Sequence, residues 1–180
     1  MKKTLIILTH PNMPQSKLNK ALIESIKDEK DVTVHDIYAI YKNADSIDVA
    51  KEQELLLAYD RIVFQYPLYW YSTPGLLKDW QDQVLAYCFA YGSTGNKLAG
   101  KEFKIAVTIG AASDAYQPNG FMQTTINDLL KPLQTMAHMT QMVFTPTFTV
   151  YGALAITDEE LAQKAKEYHD IILDTQWSKD

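Results

Sequence analysis

The sequence predicts an α/β fold in which a parallel sheet of about five strands is covered by helices on both faces. Two patterns support this prediction. Short apolar runs typical of strands buried on both faces, such as LIIL at residues 5–8, recur along the chain. Between them lie segments whose apolar residues repeat every three or four positions, as in helices with one buried face. Parallel neighbouring strands need such helical connections.

The first half of the chain alternates between the two patterns. The strand at residues 5–8 is followed by a turn-rich loop and by a helix from about Ser16. Residues 32–37 predict a second, edge-like strand, and residues 52–59 predict a short helix. A third strand begins at Arg61 and ends at Tyr66-Pro67.

The next helix and strand follow directly. Ser72 or Thr73 is expected to cap a helix that has Pro74 in its first turn, where a missing N–H has no cost. A glycine-bearing loop then leads to a fourth strand at residues 103–109.

The last elements complete the alternation. A helical pattern begins at about Phe121, and Pro132 must kink or split that helix. Residues 142–150 predict a fifth strand with an extension. Thr157 and Glu160 form a capping-box pattern at the start of a final helix.

Composition places the chain among globular proteins. Of its 180 residues, 47% are hydrophobic and 22% are charged, a balance expected of one domain covering residues 1–180. The net charge of -5 gives no electrostatic reason to expect nucleic acid as a partner. No apolar run is long enough to span a bilayer. Cys88 is the only cysteine, which excludes an internal disulfide and favours a cytoplasmic location.

Three loops leave the expected carboxyl ends of the strands. They lie at residues 9–15, 67–73 and 110–119. Because ligands of open α/β sheets bind beyond the carboxyl ends of the strands, these loops form the predicted site.

The first loop runs into a helix N-terminus, where unpaired N–H groups and the helix dipole favour an anion. Ser16 and Asn19 offer side-chain donors there, and His10 offers a third. The loop lacks G-x-G-x-x-G and G-x-x-x-x-G-K-[ST], so neither a Rossmann dinucleotide site nor a nucleoside-triphosphate site is predicted. The alternative is that Ser16 only caps the helix and that His10 is a surface residue of a turn.

The second loop places Trp70 and Tyr71 where planar rings favour stacking against a ligand. Backbone N–H groups held between Pro67 and Pro74 are available to the edge of a planar heterocycle. A phosphate site in one loop and an aromatic slot in the next predict flavin mononucleotide (FMN) or a similar ligand. Tyr116, in the third loop, either points its hydroxyl into the site or is a solvated loop residue.

These segments resemble the flavodoxin-like NAD(P)H:quinone oxidoreductase family. HPNMPQSKLN, beginning at His10, is similar to its H-P-x(4)-S-x-x-N phosphate loop. FQYPLYWYSTPGLLKDWQDQV, beginning at Phe64, is similar to its P-x-x-W-[YF]-x-x-P-x-x-L-K-x-W segment. AYG at residues 90–92 and TIGA at residues 108–111 match more weakly.

The resemblance covers nearly the whole chain and implies a fold. That fold is a flavodoxin-like three-layer sandwich with strand order 2-1-3-4-5. The family includes animal quinone reductases and bacterial modulators of drug activity. The ancillary oxidoreductases of glutathione-gated potassium-efflux systems look most similar to this chain.

The resemblance also implies a set of cofactor-binding residues. The first loop would hold the flavin phosphate, the second would line the isoalloxazine ring, and the third would contact its pyrimidine edge. In that order, the residues are His10, Ser16, Lys17, Leu18 and Asn19; Pro67, Leu68, Tyr69, Trp70 and Tyr71; and Thr108, Ile109, Gly110 and Ala111.

Several positions depart from the family pattern. Tyr69 stands where a glutamine is usual, and Ile109 and Ala111 replace the second threonine and second glycine of T-T-G-G. In the animal enzymes, a tyrosine and a histidine six residues later relay charge and protons to the quinone. Here Tyr116 keeps the place of the tyrosine and Met122 takes that of the histidine, so Tyr116 is the candidate catalytic residue.

The implied activity is FMN-dependent transfer of two electrons from NADPH or NADH to a quinone-like acceptor, with FAD as the alternative flavin. The resemblance also implies a homodimer, and the candidate partner surface consists of Tyr87, Phe89 and Tyr91.

Other functions remain open. A different class is a regulatory flavoprotein docked on a potassium-efflux transporter at the inner face of the membrane. A flavodoxin electron carrier is disfavoured because its phosphate loop T-x-T-G-x-T is absent. A Cys88 nucleophile is disfavoured because no histidine lies near it in the sequence.

Overall fold

The computed structural model describes residues 2–177 and has the predicted α/β fold and strand order. Within these residues the sheet has six strands, and all the pairings between them are parallel. The main path runs β2-β1-β3-β4-β5, and β6 also pairs with β4. The strands are Thr4–Leu8 (β1), Val32–Asp36 (β2), Arg61–Pro67 (β3), Glu102–Thr108 (β4), Val143–Phe144 (β5) and Phe148–Val150 (β6). Residues 1 and 178–180 of the expected domain lie outside the described residues.

Helices cover both faces of the sheet. They are Lys17–Ile26 (α1), Ile37–Ile40 (α2), Val49–Leu57 (α3), Gly75–Val84 (α4), Ile126–Leu129 (α5), Lys131–Met139 (α6) and Asp158–Leu173 (α7). Alternate strand residues point to opposite faces. Leu5 and Ile7 therefore join the core under α2 to α6, whereas Ile6 and Val63 join the core under α1 and α7. Across residues 2–177, no helix has the combined length and apolar character of a bilayer-spanning segment.

The start of α4 differs from the prediction. Its N-cap is Pro74, which makes no side-chain hydrogen bond, rather than Ser72 or Thr73. The reason is that Ser72 belongs to a tight hairpin. It exchanges two backbone hydrogen bonds with Tyr69, at 2.9 and 3.0 Å. The chain can therefore enter the helix only after this hairpin closes.

The helix expected from about Phe121 begins only at Ile126. The Met122 N–H donates instead to the carbonyl of Ala115 at 2.9 Å, so the preceding segment folds back as a loop. The predicted split at Pro132 is confirmed by the break between α5 and α6. A proline is tolerated there because it lies in the first turn of α6, where its missing N–H has no helical partner.

The expected fifth strand at residues 142–150 is divided into β5 and β6. Thr145 N–H still donates to the Phe103 carbonyl at 2.9 Å, but Pro146 has no N–H to continue the ladder. Pairing with β4 resumes at Phe148. As a result, the chain after β6 leaves the sheet beside the carboxyl end of β4.

The carboxyl ends of β1, β3 and β4 lie side by side. Pro67 is paired with Thr108, and the Leu68 N–H donates to the Thr108 carbonyl at 2.8 Å. On the other side, the Thr9 N–H donates to the Gln65 carbonyl at 2.9 Å. The loops after these three strands therefore meet at one edge of the sheet, where strand order reverses between β1 and β3.

Candidate functional site

The first loop leads into the N-terminus of α1. Ser16 is the N-cap of α1, and its Oγ accepts a hydrogen bond from the Asn19 N–H at 3.2 Å. The N–H groups of Lys17 and Leu18, in the first turn, donate to no group within residues 2–177. These free donors and the helix dipole favour a bound phosphate or carboxylate.

Asn19 lies beneath this loop rather than at its surface. Its side chain is buried, and its Nδ2 lies 2.9 Å from Thr108 Oγ1 and 3.3 Å from Ser16 Oγ. Both amide hydrogens are thus used inside the protein. Asn19 was expected to offer a side-chain donor to an anion, but its amide is placed to orient the two hydroxyl groups instead.

His10 is held as a neutral donor. Its Nδ1 accepts a hydrogen bond from the Asn12 N–H at 3.0 Å, so a neutral ring carries its proton on Nε2. Burial lowers the pKa of His10, and nearby Asp36 only partly offsets this effect. The ring makes an edge contact with Tyr69, with centroids 6.2 Å apart.

The second loop is a two-residue hairpin between Tyr69 and Ser72. Trp70 and Tyr71 both adopt positive φ, at 45° and 63°, which only glycine and asparagine adopt readily. Neither Trp70 nor Tyr71 N–H donates to an acceptor in the described chain. The backbone here is strained, and these two N–H groups are unpaired within residues 2–177. Strain of this kind is concentrated at functional sites.

The third loop offers further free donors. The Ile109 N–H donates to the Val150 carbonyl at 2.8 Å, whereas the Gly110 and Ala111 N–H groups make no hydrogen bond within residues 2–177. A Cβ added to Gly110 would meet no atom within 4 Å, so this backbone borders open space. Ala111 does not adopt a positive φ, which explains why alanine is tolerated in place of the family's glycine.

Residues of all three loops border one cavity of about 290 Å³. Of the expected cofactor-binding residues, those that border it are His10, Ser16, Lys17, Leu18, Asn19, Pro67, Leu68, Tyr69, Thr108, Ile109 and Gly110. Trp70, Tyr71 and Ala111 do not line it. The side chain of Trp70 is 91% exposed and extends into solvent.

Three further residues border the cavity without having been expected. Gln15 lies in the first loop, and Ala153 and Leu154 lie in the loop after β6. Leu154 is 96% exposed. The sequence does indicate this fourth loop, the one after β6, because it follows the carboxyl end of the strand predicted at residues 142–150. The position of β6 beside β4 brings it to the site.

Tyr116 does not border this cavity. It is buried, and its ring centroid lies 6.4 Å from that of Tyr151, which borders an adjoining cavity of about 350 Å³. Burial raises the pKa of Tyr116, and Tyr71 and Tyr151 add to this effect. The hydroxyl therefore stays protonated at neutral pH and is a hydrogen-bond donor there.

The chemistry of the cavity is defined by its donors. The lining includes the α1 N-terminus and the hydroxyl groups of Ser16 and Thr108, and it also includes the unpaired N–H group of Gly110 beside Pro67, Leu68 and Tyr69 of the second loop. A ligand that satisfies both sets of donors has an anionic group and a planar ring with polar edges.

Comparison with curated proteins finds close relatives in bacteria. The chain is 47% identical over 170 residues to the uncharacterized NAD(P)H oxidoreductase YrkL of Bacillus subtilis, covering 94% of this chain and 97% of the relative. It is 40% identical over 172 residues to KefG of Cronobacter sakazakii, an ancillary protein of the glutathione-regulated potassium-efflux system, covering 96% and 93%.

Solved structures also share the fold. General stress protein 14 of Treponema denticola, in complex with FMN, has a TM-score of 0.87 at 38% identity, covering 92% of this chain and 95% of that one. An NADPH-quinone reductase of P. pentosaceus has a TM-score of 0.85 at 34% identity, covering 93% and 96%. A protein named a thermophilic tryptophan halogenase, from Streptomycin violaceusniger, has a TM-score of 0.91 at 43% identity, covering 95% and 99%.

The family model named Flavodoxin_2, described as a flavodoxin-like fold, matches residues 2–172. This match covers nearly the whole chain, and it agrees with the strand order and with the identities above 30%. The chain belongs to the Flavodoxin_2 family of flavodoxin-like proteins.

Proposed function

We propose that this protein binds FMN in the cavity formed by the three loops and acts as an NAD(P)H:quinone oxidoreductase. One observation carries the proposal: a single cavity joins the N-terminus of α1 to the unpaired N–H group of Gly110 in the third loop, and Pro67, Leu68 and Tyr69 of the second loop form its wall. FMN has the phosphate and the planar, polar-edged ring that match these two ends. The FMN complex of the Treponema denticola relative supports this choice over FAD.

At the phosphate end, Ser16 and the N–H groups of Lys17 and Leu18 bind the anion, and His10 adds a neutral N–H donor. Asn19 holds Ser16 and Thr108 in place from below.

At the ring end, residues 67–71 flank the isoalloxazine, Pro67, Leu68 and Tyr69 from the cavity wall and Trp70 and Tyr71 from outside it. Residues 108–111 contact its pyrimidine edge. When bound, FMN accepts hydride from NAD(P)H and passes two electrons to the acceptor. The N–H groups of Gly110 and Ala111 stabilise the negative charge that the pyrimidine edge gains on reduction. Tyr116 is the candidate to donate a hydrogen bond to the acceptor.

The names of the relatives support this reaction class. YrkL is named an NAD(P)H oxidoreductase, and the P. pentosaceus protein is named an NADPH-quinone reductase. Tryptophan halogenation, named for one solved structure, is not proposed because it stands alone among these names. Turnover assays with tryptophan, chloride, reduced flavin and oxygen as the oxidant would reveal that activity directly.

A regulatory role is the second candidate, and the 40% identity to KefG favours it. In that role the protein would be cytoplasmic and bound to a potassium-efflux transporter at the inner face of the membrane. Potassium efflux through such a transporter, measured with and without this protein, tests the role independently of quinone turnover.

We place a homodimer contact at the surface that includes Tyr87, Phe89 and Tyr91. Tyr87 is 61% exposed and makes an edge-to-face contact with Tyr91, with ring centroids 5.8 Å apart. Tyr91 also borders a groove of about 400 Å³ lined by apolar residues of α5 and α6. Exposed apolar surface of this kind commonly meets a partner. Sedimentation that shows only monomers at working concentration would rule out the dimer.

The direct test of the function is to purify the protein, release any cofactor and identify it. The protein is expected to be yellow, to contain FMN, and to oxidise NADPH or NADH in the presence of a small quinone. A colourless protein that remains unchanged on titration with FMN would refute the proposal.

A matched pair of variants tests the phosphate site. Ser16→Asp and Ser16→Asn both keep a good N-cap for α1, but only aspartate adds a negative charge where the phosphate binds. FMN binding should be lost in Ser16→Asp and retained in Ser16→Asn. Equal FMN affinity of the two variants would show that no phosphate binds at this helix.

A further inference from the structure

A chain of buried polar side chains runs from α7 to the first loop, behind the cavity. Tyr168 Oη lies 2.7 Å from Gln65 Oε1, and Gln65 Nε2 lies 3.3 Å from the Asn19 backbone oxygen and 3.2 Å from Asn19 Oδ1. Asn19 Nδ2 then reaches Thr108 Oγ1 and Ser16 Oγ. Tyr168, Gln65 and Asn19 are all buried.

Each hydrogen bond in this chain can point only one way. The Asn19 backbone carbonyl is an acceptor only, so Gln65 must turn its Nε2 towards it. Gln65 Oε1 then faces α7, where the Tyr168 hydroxyl must donate. Because Asn19 Oδ1 also accepts from Gln65, its Nδ2 must face Ser16 and Thr108.

This direction determines what the two terminal hydroxyl groups can do. Ser16 Oγ accepts from both the backbone N–H and the Nδ2 of Asn19, which uses both of its lone pairs. Thr108 Oγ1 accepts from Asn19 Nδ2. Neither hydroxyl hydrogen has an acceptor within residues 2–177, and both residues border the cavity. Each hydroxyl is therefore left as a donor to an anion there.

We infer that Tyr168 and Gln65 are positioning residues that select phosphorylated over unphosphorylated flavin. Through Asn19, they keep the hydroxyl groups of Ser16 and Thr108 free to donate to the phosphate. Without the Tyr168 hydroxyl, only the Asn19 oxygens hold the Gln65 amide, and its Oε1 loses its donor on α7, so Gln65 and then Asn19 turn over in part of the molecules. Asn19 Oδ1 would then accept from Ser16 and Thr108 and withdraw both donors from the phosphate.

The inference rests on the proposed function, because it assumes that a flavin phosphate binds at α1. Binding of riboflavin distinguishes the proposed function from this inference, since riboflavin has the flavin ring of FMN but no phosphate. A protein that binds neither flavin would overturn the proposed function and this inference together. A protein that binds both flavins, with no effect of Tyr168 on their ratio, would overturn the inference alone.

The test measures the Kd of FMN and of riboflavin by flavin fluorescence in wild-type protein and in Tyr168→Phe. The variant should bind FMN about tenfold more weakly, the loss expected for one hydrogen bond to a charged group. Its affinity for riboflavin should be unchanged. An equal loss for both ligands would show that Tyr168 has only a structural role.

Tyr66→Phe is the matched control, because Tyr66 is a buried tyrosine on β3 that neither joins the chain nor borders the cavity. Its FMN to riboflavin ratio should equal that of the wild type. If Tyr168→Phe fails to fold, Gln65→Met breaks the chain at the next position and should give the same selective loss of FMN. A Gln65→Met protein with the wild-type ratio would overturn the inference.

A double-mutant cycle shows whether Tyr168 acts through the end of the chain. Thr108→Val removes one of the two terminal donors. In that background, Tyr168→Phe should cost less FMN affinity than it does alone, because part of its effect has already been removed. Independent effects of the two substitutions would contradict the proposed coupling.

Discussion

The hydroxyl of Tyr71 lies 3.4 Å from the sulfur of Met122. By the resemblance, Met122 takes the place of the histidine that the animal quinone reductases have. A thioether sulfur is a weak acceptor and has no proton to give. On the correspondence that the resemblance implies, the tyrosine and histidine pair of those enzymes is incomplete in this protein. Tyr116 is left as the only member of that pair that can donate a proton or a hydrogen bond.

Tyr116→Phe should slow quinone reduction by about tenfold or less, because it removes one neutral hydrogen bond at most. FMN should stay bound, since Tyr116 does not border the cavity. Stopped-flow measurement of the two half-reactions checks both points.

Tyr151→Phe is the control for this prediction, because it removes the hydroxyl of the neighbouring ring. It should leave the rate of quinone reduction unchanged. If Tyr116→Phe abolishes quinone reduction while flavin reduction by NADPH stays normal, then Tyr116 relays a proton. If it changes nothing, Tyr116 has no catalytic role.

Trp70→Asn should stabilise the protein without flavin by about 1 kcal/mol, because asparagine tolerates the left-handed backbone that tryptophan adopts with strain. Little packing is lost, since the Trp70 side chain is almost fully exposed. Urea denaturation measures the difference. Phe121→Asn is the control: Phe121 is 88% exposed but has no positive φ, so no stabilisation is expected. Equal effects of the two substitutions would mean that the hairpin is not strained.

A buried carboxylate links β2 to α4. Glu52 accepts hydrogen bonds from His35 Nε2 at 2.8 Å, Tyr41 Oη at 2.6 Å and Trp80 Nε1 at 2.8 Å. Glu52→Gln should lower the free energy of unfolding by about 2–3 kcal/mol, because the amide hydrogens then face donors that lose their acceptor. Glu54→Gln, exposed on the same helix, should have no measurable effect. Similar losses in both variants would contradict this account.

The same cluster predicts how stability depends on pH. Burial raises the pKa of Glu52, but the hydrogen bonds from His35, Tyr41 and Trp80 outweigh it and hold the pKa below its ordinary value of 4.5. A lowered carboxyl pKa contributes stability that is present above 4.5 and lost as pH falls through the folded value. The difference in stability between wild type and Glu52→Gln should therefore shrink below pH 4.5. A constant difference down to lower pH would show that Glu52 is not ionised in the folded protein.

Steady-state kinetics should show a ping-pong pattern. If NAD(P)H and the quinone use the same exposed face of the flavin, the oxidised nicotinamide must leave before the quinone binds. Double-reciprocal plots at several quinone concentrations should then be parallel. Intersecting lines would indicate a ternary complex and a second binding site for the acceptor.

Local pattern alone was sufficient for much of the fold. The Ser16 cap and the Thr157–Glu160 capping box followed from residues three positions apart, whereas the strand order came from the family resemblance and not from a local pattern. Caps of this kind are local. Such features depend on neighbouring residues, so the sequence determines them directly. The unpaired N–H groups at the N-terminus of α1 are also a local feature, because the first turn of every helix leaves such groups without a partner in the helix.

Only the tertiary structure decided how those donors are supported and which loops meet them. Tyr168 lies 103 positions from Gln65, and Gln65 lies 46 positions from Asn19, so no local pattern could reveal their hydrogen bonds. Leu154 reached the cavity because Pro146 divided the last strand and β6 paired with the carboxyl end of β4. The sequence determined which groups could bind an anion and a ring. Packing between distant elements decided how those groups are oriented, because a hydrogen bond needs partners that only the folded chain brings together.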